Sequence, residues 1–278
     1  MDKQNRVFNV ICICILSIAA VVFLFPIFIV LINSFKTKFS ISQTPFVLPD
    51  STTFARFENY INGITRTDLL PAIGWSLFVT VFSVAAIIVF TSMTAWYIVR
   101  RKSRFCNSLY YIFVLSMIVP FQMVMFTMSK IANILSLDTP LGLVVIYLGF
   151  GAGLSVFLFV GFIKSVPRGI EEAATIDGCS PPQTFFRIVF PILKPTTVTV
   201  AILNTMWIWN DYLLPYLVIG SDYKTLPIAV QYLKGGYGSV DMGALMAVLI
   251  LSIIPIVIFY LTSQKYIIRG VAAGAVKG

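Results

Sequence analysis

Long uncharged apolar runs constrain the fold of this chain more than any other feature. The first, Val7 to Phe35, is preceded by Lys3 and Arg6 and followed by Lys36 and Lys38. It exceeds the roughly 20 residues with which a helix crosses the hydrocarbon of a bilayer. A backbone in hydrocarbon must satisfy its own hydrogen bonds, as a helix does. The run therefore predicts a membrane-spanning helix at the start of the chain.

A cleaved signal peptide is the alternative for this first run. Ser17-Ile18-Ala19 has the small residues of a cleavage site. The apolar run continues well past that point, to Leu31, which favours an uncleaved span.

Five further apolar runs follow. Only 11% of the 278 residues are charged and 58% are hydrophobic, whereas soluble domains carry about 25% charged residues. We predict an all-α polytopic membrane protein with about six transmembrane helices in a single domain, residues 1–278. The predicted spans are residues 7–35, 69–99, 105–129, 139–163, 188–219 and 242–264.

Basic residues indicate the orientation of these spans. Arg100, Arg101, Lys102 and Arg104 form a cluster directly after the second span. Such clusters stay in the cytoplasm, which also places segment 165–187, the tail 265–278 and both termini there. The net charge of +9 could suggest nucleic-acid binding, but the cations lie at the ends of apolar runs rather than on one basic face. We therefore expect a multi-pass protein of a cell membrane.

Two glycines in the fourth span predict how it packs. Gly149 and Gly153 have the small-xxx-small spacing that lets helices approach closely. Gly151, between them, is expected to loosen the helix.

Segment 165–187 is polar, does not span, and has a helix-loop-helix pattern of its own. Glu171 and Glu172 stand in a first helical turn, where the helix dipole favours negative charge, and Gly178 is a left-handed stop signal. The spacing places Ile170, Ala173, Ala174 and Asp177 at i, i+3, i+4 and i+7, which predicts one helix face on which the small residues lie together.

A second helix is predicted directly after this one. Ser180, Pro181 and Gln183 form a capping-box pattern. A two-turn helix is marginal alone in water, so a small-residue face suggests that another protein holds it. An ordinary loop with one helical turn remains the alternative.

At this point the residues resemble a known family. Glu172-Ala173-Ala174, three residues, Gly178, nine residues and then Ile188-Val189-Phe190-Pro191 resemble the signature E-A-A-x-x-x-G-x9-I-x-L-P, with Phe190 in place of leucine. That signature marks the permease subunits of binding-protein-dependent ABC importers. The resemblance implies the MetI-like permease fold and a cytoplasmic coupling helix that docks on an ATPase. The implied ATPase-coupling residues are Glu171, Glu172, Ala173, Ala174, Asp177, Gly178 and Pro191.

A polar stripe interrupts the fifth span. Asn204, Trp207 and Asp211 lie at i, i+3 and i+7, with Asn210 beside them. Polar groups at membrane depth usually face the bundle interior, and aromatic rings with amides suit the passage of a sugar. These four residues are candidates for a translocation pathway, although Asp211 has no evident intramembrane partner in the sequence. An interfacial aromatic belt is the alternative.

The same stretch resembles the maltose-type, carbohydrate-uptake branch of the family. Trp207-Ile208-Trp209-Asn210-Asp211-Tyr212, Thr225-Leu226-Pro227 and the tail from Gln264 carry this second resemblance. From its residues alone the tail is a flexible small-residue extension. The resemblance implies that it contacts the ATPase through Ala273, Gly274, Ala275, Val276, Lys277 and Gly278.

These observations predict a sugar or oligosaccharide importer subunit rather than an enzyme. There is no histidine, no P-loop motif and no metal-ligand spacing among the four cysteines, so no cofactor is expected on this chain. The resemblance implies a prokaryotic cell membrane, a homologous second permease, an ABC ATPase dimer that binds ATP and Mg²⁺, and an extracellular solute-binding protein. The alternatives are glycerol phosphate or another polar solute as substrate, an ion-coupled secondary transporter, and a membrane scaffold.

Overall fold

A computed structural model describes residues 3–220, 222–233 and 241–275, with side chains described between residues 8 and 264 of these ranges. Within them the chain forms helices and turns, and the one β-bridge is the isolated pair Lys36–Phe54. The predicted all-α fold class is confirmed. The helices are α1 Lys3–Asn33, α2 Lys38–Gln43, α3 Glu58–Thr67, α4 Leu69–Arg100, α5 Arg104–Ser116, α6 Phe121–Ile134, α7 Pro140–Ile163, α8 Gly169–Ile176, α9 Pro181–Thr184, α10 Phe190–Ile192, α11 Lys194–Asn210, α12 Leu213–Ile219, α13 Leu226–Tyr232 and α14 Met242–Ala275, with a π-helix at Phe185–Val189.

Four helical stretches are long and apolar enough to cross a membrane. They are Phe8–Asn33, Leu69–Arg100, Pro140–Ile163 and Met242–Gln264. Two bent helix pairs raise the number of candidate spans to six if each pair counts as one. The chain is therefore a multi-pass membrane protein.

The predicted third span, residues 105–129, is not one straight helix. Helices α5 and α6 meet at an angle of 106° across residues 117–120, and α6 continues to Ile134. Pro120 causes the break, since it has no N–H to donate and disfavours helical geometry at the residue before it. The residues predicted as the third span are thus helical on both sides of a sharp bend.

The predicted fifth span, residues 188–219, is broken twice. A bend of 77° separates Pro181–Ile192 from α11, which has Pro195 in its first turn, where a missing N–H costs nothing. The second break lies after Asn210, where Asp211 takes an extended conformation before α12 begins. The stretch predicted as the fifth span thus consists of separate helices, and Pro195 lies at the start of one of them.

Contacts between residues divide the chain into two compact units. The first comprises Met1–Leu70 and Ala229–Pro255. Inside it Lys36 is fully buried and its Nζ donates a hydrogen bond to the carbonyl of Thr44 at 2.6 Å. Asn59 Nδ2 donates to the carbonyl of Lys36 at 2.8 Å, and Gly63 lies directly against Val248 of α14. Residues 36–68, between the first two predicted spans, are therefore folded and anchored.

The second unit comprises Pro71–Ile228 and Ile256–Gly278, with its core around α7. Helix α7 packs against α5, α11 and α12. A methyl group added at Gly151 would lie 2.5 Å from Ile87 Cδ1, and one at Gly153 would lie 2.8 Å from the carbonyl oxygen of Phe113. Gly149 has no such neighbour within 4 Å. The close-approach residues are thus Gly151 and Gly153, and Gly151 does not interrupt α7.

Candidate functional site

The short helix α8 is attached to the end of α4 by an ion pair. Arg100 Nη2 lies 2.6 Å from Glu171 Oε1, and Arg100 Nε donates to the same oxygen at 2.8 Å. Trp96 Nε1 donates to Glu171 Oε2 at 2.9 Å. The two charged side chains are only 16% and 13% exposed, so solvent screens the pair weakly. Both carboxylate oxygens of Glu171 are therefore engaged inside the chain.

Further contacts extend this attachment. Arg100 Nη2 donates to the carbonyl of Val166 at 3.1 Å, and Arg168 Nη2 donates to the carbonyl of Arg100 at 3.3 Å. The Trp96 ring lies 5.4 Å from the ring of Phe185, the first residue of the π-helix. Helix α8, the end of α4 and the π-helix thus form one connected group.

The predicted small-residue face of α8 is divided by the structure. Ala174 is 3% exposed, because α8 packs against α9 and the π-helix, whereas Ala173 is exposed. The expectation that both alanines lie on one outward face is wrong. Glu171 likewise points into the chain, where its carboxylate binds Arg100 and Trp96.

The outward side of α8 consists of Glu172, Ala173, Ile176 and Asp177, which we call the docking face. Ile176 is 86% exposed, the largest exposed fraction among the large apolar side chains that the structure describes. Ile176 was not predicted as a site residue from the sequence. Its position four residues after Glu172, in an otherwise polar turn, was the available signal.

The end of α8 follows the predicted chemistry. Gly178 has φ +82°, a left-handed conformation that favours glycine. The N–H of Cys179 donates to the carbonyl of Ala174 at 3.0 Å, which closes the helix. The N–H of Ser180 donates to Gln183 Oε1 at 2.8 Å, as the predicted capping box requires. Pro191 lies outside this group of turns, in α10 beyond the π-helix.

Two polar residues of the predicted fifth span, Asp211 and Asn204, form hydrogen bonds with side chains of α7. The Tyr147 hydroxyl donates to Asp211 Oδ2 at 3.0 Å, and the N–H of Leu213 donates to Asp211 Oδ1 at 3.0 Å. Asp211 therefore caps α12 and has the intramembrane partner that the sequence did not reveal. Tyr147 itself is fully buried.

The other candidate pathway residues separate into buried and exposed groups. Trp207 is 40% exposed and stands edge-on to Tyr147, with ring centroids 5.4 Å apart. Asn204 is buried and its Nδ2 donates to Ser155 Oγ at 3.2 Å, while Asn210 is exposed. Trp207 and Asp211 thus share Tyr147, and Asn204 binds elsewhere on α7.

We expect Tyr147→Phe to lower the thermal stability of the protein in detergent by several degrees. The change leaves Asp211 Oδ2 without its donor, and a hydrogen bond to a charged group contributes about 1.5–3 kcal/mol. Tyr111→Phe is the matched control, since Tyr111 is 69% exposed. Equal melting temperatures for the two variants would contradict this role of Tyr147.

The predicted ATPase-contacting tail is only partly described. Helix α14 continues to Ala275, so the first part of the predicted flexible extension is helical instead, in a stretch without proline after Pro255. The side chains of Ala273, Gly274 and Ala275 lie outside the described residues, as do Val276, Lys277 and Gly278 entirely. Among the described residues no group of three or more cysteine or acidic side chains is placed to hold a metal ion.

Helical spans, a short helix anchored beside them and the E-A-A pattern define a membrane transport subunit. Residues 87–273 match the family described as "Binding-protein-dependent transport system inner membrane component", and the chain belongs to this family. It is therefore a transport subunit and not an enzyme.

Curated relatives match along almost the whole chain. The probable starch degradation products transport system permease protein AmyC of Thermoanaerobacterium thermosulfurigenes is 41% identical, over 91% of each chain. The multiple sugar-binding transport system permease protein MsmG of Streptococcus mutans is 35% identical, over 95% of each. The melibiose/raffinose/stachyose import permease protein MelC of Bacillus subtilis is 30% identical, over 94% of each.

A solved structure shares the fold. A bacterial ABC transporter involved in the import of the acidic polysaccharide alginate contains a chain that superposes with a TM-score of 0.80. The match covers 96% of this chain and 98% of the other at 21% sequence identity. At this identity the likeness concerns the fold.

Proposed function

We propose that this permease subunit imports a sugar or oligosaccharide and that α8 couples it to an ATPase on the cytoplasmic side. One observation carries the coupling: α8 is held firmly to α4 through Glu171 while its docking face stays open. An eight-residue helix has little stability alone, so its anchoring indicates that it transmits force.

The proposed complex contains four kinds of chain. A homologous second permease forms the other half of the pathway, an ABC ATPase dimer binds ATP and Mg²⁺, and an extracellular solute-binding protein delivers the substrate. This chain holds no cofactor of its own. The tail residues from Ala273 to Gly278 contact the ATPase in this proposal, and both termini lie in the cytoplasm of a prokaryotic cell.

The mechanism is rigid-body coupling. ATP binding closes the ATPase dimer, and the docking face of α8 moves with the ATPase surface. Because Glu171 is bonded to Arg100 and Trp96, the movement passes to the end of α4. Because Ala174 is buried against α9 and the π-helix, the movement also passes through these turns and α10 to α11. The spans then switch the pathway between inward and outward access.

The sugar proposal rests on the relatives and on one side chain. The relatives named above are described as permeases for starch degradation products, multiple sugars and melibiose, raffinose or stachyose. Trp207 is partly exposed beside Tyr147, and an aromatic face of this kind stacks on sugar rings. Uptake of labelled di- and oligosaccharides by membranes containing the complete complex tests the proposal, with glycerol phosphate as the competing solute. Transport of glycerol phosphate alone would overturn the sugar assignment.

Gly178→Asp tests the coupling. We expect the variant to insert normally, to lose the co-purifying ATPase and to reduce uptake at least tenfold. A loss of this order corresponds to about 1–2 kcal/mol of left-handed backbone strain at residue 178, together with the misplaced negative charge. A side chain at Gly178 meets no atom within 4 Å, so the strain is confined to the left-handed backbone of this turn.

Gly169→Asp is the matched control for this experiment. Gly169 begins α8, has equally open surroundings, and adds its negative charge where the helix dipole favours it. We expect this control to retain the ATPase. Normal uptake by Gly178→Asp would remove α8 from the coupling route.

A further inference from the structure

A basic cavity of about 810 Å³ opens beside α8 and is separate from the docking face. Its walls come from the end of α4, the start of α5, the end of α7 and the turn that leads into α8. Five cationic side chains line it: Arg100, Lys102, Arg104, Lys164 and Arg168. The volume is in the range of small-molecule sites, so it can hold a polar group with several contacts.

The charge of the cavity is largely uncompensated. Its lining includes no carboxylate, and in the described part of the chain only Arg100 of the five cations has a carboxylate partner, Glu171. Lys164 Nζ lies 5.6 Å from the centre of the Tyr110 ring, a contact that places the ammonium group without neutralising it. Four positive charges therefore face one space, an arrangement that favours a multivalent anion.

The position of the cavity relates it to the membrane surface. The candidate spans Leu69–Arg100 and Pro140–Ile163 both end at its rim, and α5 begins there. A group in the cavity would therefore lie at the depth of lipid headgroups. The apolar part of the cavity lining consists of Ile98, Val99, Val160 and Val166. Phe105, the residue after Arg104 in the chain, is 68% exposed.

We infer that this cavity binds an anionic phosphate group, and that Lys102, Arg104 and Lys164 are the principal side chains that contact the phosphate. Guanidinium and ammonium groups are the side chains that recognise phosphate in proteins. The phosphate belongs to an anionic phospholipid headgroup or is free in solution. The apolar lining at Val99 and the exposed ring of Phe105 near the chain segment that holds Arg104 favour the lipid, whose acyl chains need apolar surface.

Occupancy of the cavity bears on α8 through two of its residues. Arg100 holds Glu171, and Arg168 immediately precedes α8 and donates to the carbonyl of Arg100. An anion held by Lys102, Arg104 and Lys164 would offset the positive charge next to these two guanidinium groups and leave Arg100 bonded to Glu171. The site is thus suited to stabilise the attachment of α8 in an anionic membrane. This inference does not depend on the transported substrate.

The test uses the full-length protein, with its co-purifying partners, and native mass spectrometry to count bound lipids. One arm supplies phosphatidylglycerol, a second supplies phosphatidylcholine, and a third supplies inorganic phosphate to delipidated protein. The variant carries Lys102→Gln, Arg104→Gln and Lys164→Gln. Arg101→Gln, Arg187→Gln and Lys194→Gln form the control, since these three exposed cations lie outside the cavity and remove the same charge.

We expect wild type to retain phosphatidylglycerol and the triple variant to bind it roughly 100-fold more weakly, at about fivefold for each basic residue. The control should keep wild-type binding. The double variant Lys102→Gln with Lys164→Gln should lose about 25-fold and serves if the triple variant is unstable. Binding of inorganic phosphate without lipid, lost in the triple variant, would assign the site to free phosphate. Equal binding by triple variant and control, or equal retention of phosphatidylcholine, would overturn the inference.

Discussion

Arg100→Gln is expected to abolish transport while leaving the spans inserted. The change removes the charge that faces Glu171 and the hydrogen bond to the carbonyl of Val166. A carboxylate that is 13% exposed is then left with Trp96 as its one remaining side-chain donor. Loss of one partner of a buried pair costs roughly 3 kcal/mol, more than a hundredfold in an equilibrium. Helix α8 would detach from α4, and the movement of the ATPase would no longer reach the spans.

Arg101→Gln is the control, because Arg101 is the next residue, is exposed and has no ion pair among the described residues. The measurements are substrate uptake and ATP hydrolysis by the reconstituted complex. We expect hydrolysis without uptake in Arg100→Gln and normal coupling in Arg101→Gln. Equal uptake by both variants would mean that the Arg100–Glu171 pair is not part of the coupling route.

Ile176→Glu is expected to release the ATPase from an otherwise intact subunit. Ile176 is 86% exposed on α8, so its replacement disturbs no core packing. If a partner surface covers it, the isoleucine contributes about 1.5–3 kcal/mol, and a glutamate there adds the cost of burying a charge. We therefore expect at least a hundredfold loss of affinity for the ATPase, measured by co-purification and by titration of the purified chains.

Ile61→Glu controls for a general effect of placing a charge on an exposed isoleucine. Ile61 is 60% exposed on α3, in the segment between the first two candidate spans. The melting temperatures of both variants should equal that of wild type. Retention of the ATPase by Ile176→Glu would show that the docking face lies elsewhere on the chain.

Local signals in the sequence were sufficient for the shape of α8 and its flanks. The left-handed Gly178 and the contact between Ser180 and Gln183 depend on residues within three positions of each other, and both are as predicted. The helical class likewise follows from apolar runs, because hydrocarbon leaves a spanning backbone few options.

Contacts between distant residues could not be predicted in this way. Arg100 and Glu171 are 71 residues apart, and Tyr147 and Asp211 are 64 apart. Periodicity describes which residues share a helix face but not which helix that face meets. For this reason the partner of Glu171 was not predicted, and Asp211 was expected to lack an intramembrane partner.

The sharp bends before α6 and before α11 also could not be predicted from the sequence. Pro120 and Pro195 were visible in the sequence, but proline within a membrane helix is compatible with a gentle kink or a complete break. The observed angles of 106° and 77° depend on how the following residues pack. For α6 that packing includes Ser129, whose hydroxyl donates to the carbonyl of Leu217 at 2.7 Å.

The length of α4 determines how far its other end moves when the end attached to α8 tilts. An uninterrupted helix of 32 residues is about 48 Å long. Arg100 is at one end of it, so α8 is attached to that end of α4. A tilt of about 5° about this end would displace the opposite end by about 4 Å over that length. In the proposed coupling, a small change of angle at the Glu171 contact would therefore move the far end of α4 by more than the width of a water molecule.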